Sequence, residues 1–174
     1  LTYAYNGIDQ LISSTDQNTN ITTFLYDPAG RISSITTSQG TTSFGYDVAG
    51  NRTSITDGTN ISTQLNYNAS NRLISTVDVL NNTTQYTYDA LGRVTQFTNP
   101  LNQSTNYFYD QVGNLIQVED AMGISAFYSY DDNNQLIGII DPNGHSQSFS
   151  YDAGKRLVAK TDAENNTYSY TYDA

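Results

Sequence analysis

The residues of this chain that could do chemistry are few and scattered. His145 is the single histidine. A general base needs a nucleophile and an orienting acid within hydrogen-bond reach. His145 instead follows directly on Gly144, the position of a solvated residue where a strand begins, and no triad is expected. Aspartates recur, and carboxylates beside turn carbonyls are hard oxygen donors suited to calcium. Calcium solenoids crowd several Asp into one short Gly-rich repeat, whereas here a single Asp stands at each turn, as at Asp120 and Asp141. That is the placing of a turn cap. Asp131 and Asp132 are adjacent, so on a strand their side chains would diverge, which argues against paired-carboxylate hydrolysis. With no cysteine, disulfide scaffolds and thiolate metal sites are excluded. The expectation is a non-enzymatic chain with no catalytic, cofactor or metal residue.

The elements that would position these residues follow one period. Tyrosine precedes Asp or Asn at Tyr5, Tyr26, Tyr46, Tyr67, Tyr88, Tyr109, Tyr130, Tyr151 and Tyr172, with spacings of 21 throughout except 20 between Tyr26 and Tyr46. Two residues before each anchor is a large apolar or aromatic residue, such as Phe24, Leu65, Tyr107 or Phe149. Four after it is Gly30, Gly50, Asn71, Gly92, Gly113 or Asn134, the first and last units having Asp9 and Lys155 instead. Fourteen after it is Gly40, Asn60, Asn81, Asn102, Gly123, Gly144 or Asn165, with Thr19 the exception. Gly and Asn tolerate positive φ, and an Asp heading a turn can bond its own backbone. Asp141-Pro142-Asn143-Gly144 reads as a type I turn followed by a left-handed residue, common in short hairpins. Each unit of about 21 residues therefore holds two turns and two strands. Thr167-Tyr-Ser-Tyr-Thr-Tyr172 shows the two-residue alternation of a strand, with β-preferring residues throughout. The fold class is all-β, with antiparallel hairpin repeats forming one continuous spiralling sheet over residues 1–174, about eight units.

Composition bounds the rest. The 174 residues include 15 Tyr and no Trp, only 14% are charged, and the net charge is −10. Leu, Ile, Val and Phe number 37, near the roughly 20% floor below which disorder sets in, and the tyrosine rings lift the chain above it. The acidic balance disfavours nucleic acid, and no run approaches the ~20 apolar residues of a membrane span. Alternation places the anchor tyrosines on a Tyr/Phe/Ile/Leu face, expected to be packed, with Thr, Ser, Gln and Asn on the other. The ends, at Leu1 and just after Tyr172-Asp173, read as cuts through something longer.

Segments such as Tyr46-Asp-Val-Ala-Gly-Asn-Arg-Thr-Ser-Ile55, Tyr26-Asp-Pro-Ala-Gly-Arg-Ile32 and Tyr88-Asp-Ala-Leu-Gly-Arg-Val94 resemble the consensus unit of the RHS/YD-repeat family. That family includes bacterial Rhs toxins, shell proteins of insecticidal toxin complexes, and teneurins. The resemblance implies a hairpin ribbon wound into a shell around a toxin cargo, in large secreted or cell-surface proteins. The family's Asp-Pro-x-Gly-Leu core signature is absent, since Arg31 and His145 follow Asp27-Pro-Ala-Gly30 and Asp141-Pro-Asn-Gly144. Eight units are too few to close a shell. Three roles compete: a wall enclosing toxin cargo, an extended extracellular filament or adhesin, and a carbohydrate-binding module with solvent-facing Tyr rows. The expected partners are neighbouring repeats, of this chain or of other copies, joined through sheet edges or the apolar face, besides a toxin cargo or cell-surface carbohydrate.

Overall fold

The computed structural model describes residues 1–173, and no helix occurs among them. The unit Leu1–Gln85 contains β1 (Thr2–Tyr5), β2 (Leu11–Thr15), β3 (Ile21–Tyr26), β4 (Ile32–Thr37), β5 (Gly40–Tyr46), β6 (Arg52–Thr56), β7 (Ser62–Tyr67) and β8 (Leu73–Val77). β9 (Thr83–Tyr88) runs across the boundary. The unit Tyr86–Ala174 continues with β10 (Val94–Thr98), β11 (Ser104–Tyr109), β12 (Leu115–Glu119), β13 (Ser125–Tyr130), β14 (Leu136–Ile140), β15 (Ser146–Tyr151), β16 (Leu157–Thr161) and β17 (Thr167–Ser169). Strands pair antiparallel with their neighbours in sequence, as in Thr23↔Thr36 and Phe127↔Ile140. The all-β hairpin repeat expected from the 21-residue period is the observed fold.

Where an anchor strand pairs with the strand after it a β-bulge recurs, its extra residue on the later strand, as at Ser33, Ile116 and Ile137. The register shifts between the residue before the anchor and the anchor itself, at Leu25/Tyr26, Phe108/Tyr109 and Ser129/Tyr130 among others. A bulge sets two residues against one and bends the strand. The turns repeat as closely. Asp27 N–H donates to Arg31 O and Gly30 N–H to Asp27 O, and the same pair of bonds recurs at turns headed by Asn68, Asp110 and Asp141. The residue at the fourth turn position has positive φ whatever its type: Gly30 at 80°, Asn102 at 59°, and also Asp9 at 60°, Thr19 at 62° and Lys155 at 64°. The hairpin therefore imposes the left-handed conformation even on a β-branched threonine, a costly residue there. The one short spacing has a local cause. Thr37 pairs with Gly40 across a loop of only Ser38 and Gln39, one residue shorter than the others, and Thr37 Oγ1 accepts the Gln39 N–H at 3.1 Å in place of an aspartate.

One expectation is altered by the structure. Among the described residues no hydrophobic one is buried, and the anchor rings are half-covered rather than enclosed, with Tyr5 and Tyr172 still 57% and 46% exposed. The accessible surface is 11597 Å², against about 8,400 Å² for a folded monomer of this mass. The reason is that the pleated layer has no second layer to cover its aromatic face. The opposite face is laced by side-chain bonds between neighbouring strands, including Thr36–Thr41 at 2.8 Å, Asn66–Ser75 at 2.9 Å and Gln96–Asn106 at 2.9 Å. It is not wholly polar, because Leu25, Phe108 and Phe127 stand among these residues, 64%, 42% and 45% exposed.

Candidate functional site

The repeated chemistry of this chain lies where one hairpin meets the next. At the heads of the turns, the short Ser38–Gln39 loop excepted, an Asx side chain holds the loop: Asp27 Oδ1 accepts the N–H groups of Ala29 and Arg31, both at 2.9 Å. Asn68 and Asn99 do the same with an amide oxygen. The bulge then leaves a carbonyl to be satisfied. Between β2 and β3 the paired residues run only as far as Ser13↔Thr23, and the Leu11 carbonyl beyond them receives the Tyr26 hydroxyl at 2.8 Å. Tyr46 donates likewise to Ile32 O, Tyr109 to Val94 O, Tyr130 to Leu115 O, Tyr151 to Leu136 O and Tyr172 to Leu157 O, at 2.7–3.0 Å. In these six cases the anchor is a tether from its hairpin to the one before it.

A second tether runs forward from the fifth residue after the anchor. Arg31 donates from Nε to Asp27 Oδ2 at 2.7 Å and from Nη1 to Asp47 O at 3.1 Å, while its guanidinium lies 4.5 Å from the Tyr46 ring centroid. Arg93 repeats this with Asp89, Asp110 O and Tyr109, and Arg156 with Asp152, Asp173 O and Tyr172. Where asparagine stands instead, an amide does the bridging. Asn51 joins Asp47 to Asn71 and Asn114 joins Asp110 to Asn134, each at 2.9–3.0 Å. Such cation–π contacts add about 0.5–1 kcal/mol at exposed sites. Sequence reasoning assigned this position no role. The signal was there, since Gln10, Arg31, Asn51, Arg72, Arg93, Asn114, Gln135 and Arg156 are all N–H donors in one frame.

The turn carboxylates carry the electrostatic consequence. The Arg31 side chain and then its backbone N–H hold the Asp27 carboxyl below the ordinary value of 3.8; the Asn51 side chain does so for Asp47, and the Arg93 backbone N–H followed by its side chain for Asp89. A folded-state pKa below the unfolded one adds stability that is complete above the unfolded value and lost as pH falls through the folded one. Thermal unfolding is therefore expected to be flat between about pH 7 and 5 and to fall steeply below about pH 4. A variant with Asp27, Asp47, Asp57 and Asp78 replaced by Asn should show a shallower acid fall, since Asn68 already builds the same turn without a titrating group. An unchanged acid limb would show that the turn carboxylates are not its source.

No group of three or more His, Cys, Asp or Glu able to hold a metal occurs among the described residues. His145 pairs with Asp141 of its own exposed turn at 3.0 Å, with 60% of its side chain exposed. Asp131 heads a turn and accepts the Asn133 and Gln135 N–H groups, and Asp132 is exposed beside it.

The recurring Tyr-Asp frame, with its turn caps and its tethers between hairpins, defines a structural hairpin repeat. The sequence model for the teneurin YD-shell matches residues 2–144, and that for the RHS repeat matches residues 130–164. The chain belongs to the YD-shell family of RHS/YD-repeat proteins. Solved structures agree in fold. The crystal structure of TcdB2-TccC3-Cdc42 superposes at a TM-score of 0.73 with 18% identity, covering 95% of this chain and 11% of that one. The TcdB2-TccC3 crystal structure gives 0.70 and 18%, covering 95% and 12%. A Photorhabdus luminescens Tc holotoxin pore gives 0.50 and 21%, covering 96% and 9%. The chain thus spans about a tenth of the length of these proteins. No curated protein sequence matches it.

Proposed function

We propose that this chain is a non-enzymatic wall segment of a secreted or cell-surface YD-repeat protein whose shell encloses a toxin cargo. One observation carries the reading: hydrogen-bonded ladders and turns recur throughout the described residues, and no apolar side chain among them is buried. A single pleated layer of this kind has one aromatic and one polar face and needs contents or a facing wall to cover the first. The likeness to the TcdB2-TccC3 fold supports a shell as the form that wall takes. A filament is the second reading, favoured by the near-constant 21-residue spacing. Sugar stacking is less supported, because neighbouring strands half-cover the anchor rings. Negative-stain electron microscopy of the intact parent particle separates the two structural readings. A hollow capsule is expected, and a long solid thread would replace the shell with the filament.

A further inference from the structure

Three arginines of this chain use one repeated site, made of an aromatic ring and a carbonyl. Arg31, Arg93 and Arg156 each set the guanidinium 4.5–4.8 Å from the centroid of the next anchor ring. Each also donates to the carbonyl of the residue after that anchor, at 3.1–3.4 Å. Four anchors instead follow an amide at the arginine position: Tyr26 after Gln10, Tyr67 after Asn51, Tyr130 after Asn114 and Tyr151 after Gln135. Tyr26, Tyr67 and Tyr151 still have a cation in the turn that follows them, Arg31, Arg72 and Arg156. Tyr130 does not, because the turns 110–114 and 131–135 hold Asp110, Asp131 and Asp132 and no cation. Between these two turns lies an open cleft of about 530 Å³, lined by Asp110, Val112, Asn114, Tyr130, Asp131 and Asp132 among others, with no Lys or Arg in its lining. Asn114 is short, and its amide stops at Asp110 and Asn134. Burial first, then Tyr128, then the Asp110 charge push the Tyr130 phenol above its ordinary value of 10, so the negative field of the turn reaches the ring.

We propose that this cleft receives an arginine side chain of a separate basic polypeptide, its guanidinium stacked on Tyr130 and donating to the Asp131 carbonyl. That carbonyl is the counterpart of the Asp47, Asp110 and Asp173 carbonyls that the chain's own arginines meet. Carboxylates alone would draw any cation. The ring and carbonyl select this one, since the same frame holds a guanidinium three times within the chain. A guanidinium is planar and weakly hydrated, and it can stack while donating in its own plane, which an ammonium cannot do. The charge is complementary as well. Asp132 is exposed beside the ring and heads no turn, and Arg93, one hairpin back, is already committed to Asp89, Asp110 O and Tyr109. The inference goes beyond the wall reading and holds for a capsule or a thread alike.

Titration of the 174-residue chain with N-acetyl-L-arginine amide, followed by two-dimensional NMR, tests this. Shifts should centre on Tyr130, Asp131 and Asp132, with a Kd of about 1–10 mM that weakens as salt is added. N-acetyl-L-lysine amide should bind at least about threefold more weakly. The variant Asn114→Arg/Asn134→Gly copies the pairing of Arg93 with Gly113, whose added Cβ would stand 3.6 Å from Arg93 Nη1. Its own guanidinium should take the ring and weaken the probe at least about tenfold. Asp132→Asn, on an exposed residue, should weaken it about threefold, and it carries the test if circular dichroism shows the double variant unfolded. Four results would each overturn the proposal: shifts spread evenly over the turns headed by Asp16, Asp78 and Asp131, equal affinity for the lysine probe, variants that bind like the unaltered chain, or no shift at Tyr130 by about 50 mM probe.

Discussion

Replacing Tyr109 by alanine is expected to destabilise the unit Tyr86–Ala174 by about 3 kcal/mol, with urea unfolding as the measurement. Three losses contribute. A half-covered ring leaves apolar contacts worth about 2 kcal/mol. The Val94 carbonyl loses the hydroxyl that meets it at 3.0 Å, about 1 kcal/mol. The Arg93 guanidinium loses the ring 4.5 Å from it. A fully buried aromatic would cost about 3–5 kcal/mol, and partial exposure places Tyr109 at the low end. Tyr109→Phe separates the terms, since it retains the ring and should cost only about 1 kcal/mol. In a repeat array each unit contacts its neighbours alone, so faster hydrogen exchange should be confined to β10, β11 and β12. A loss under about 0.5 kcal/mol for the alanine variant would mean that the anchors do not hold hairpin to hairpin.

The second large effect lies at the short loop. Gly40 has φ of +126°, and a Cβ there would stand 3.1 Å from the Gly58 Cα; one on Gly58 would stand 3.0 Å from the Gly40 Cα and 3.1 Å from the Thr41 N. The obstacle in each case is backbone, which cannot swing aside. Gly40→Val is therefore expected to cost about 3 kcal/mol, combining a backbone conformation that only glycine adopts readily with the clash. Gly58→Ala should cost about 1–3 kcal/mol from the clash alone. Because the two share one contact, their double variant should fall short of the sum. Gly123 is the control. Its φ is +79°, nothing lies within 4 Å of an added Cβ, and Asn102 occupies the equivalent turn position at +59°, so Gly123→Asn should stay within about 0.5 kcal/mol. Equal losses for Gly40→Val and Gly123→Asn in urea unfolding would remove the close approach of the two loops as a packing constraint.

The amino-acid order was sufficient for the hairpin repeat because its determinants are local. Asp27 bonds backbone two and four residues away, and the left-handed position lies within the same five-residue turn. Such contacts recur at fixed spacing and can be read from one period. Even the break at Tyr46 was visible as a spacing of 20, although its form, a two-residue loop at Ser38 and Gln39, was not. The tethers between hairpins were only half legible. The anchor tyrosines stood out, but the carbonyl that each hydroxyl meets lies 14 or 15 residues earlier, and it needs a partner because a bulge displaces the ladder. The Arg31 bridge to Asp47 O likewise joins residues brought together by strand pairing. Gly58 drew no attention beside the repeating glycines, since its constraint comes from the backbone of another loop. Alternation along a strand tells which side chains share a face, and that much the sequence determined alone. How far a face is covered depends on what lies above it, and only the tertiary structure decided that the aromatic side of this single layer is half-open.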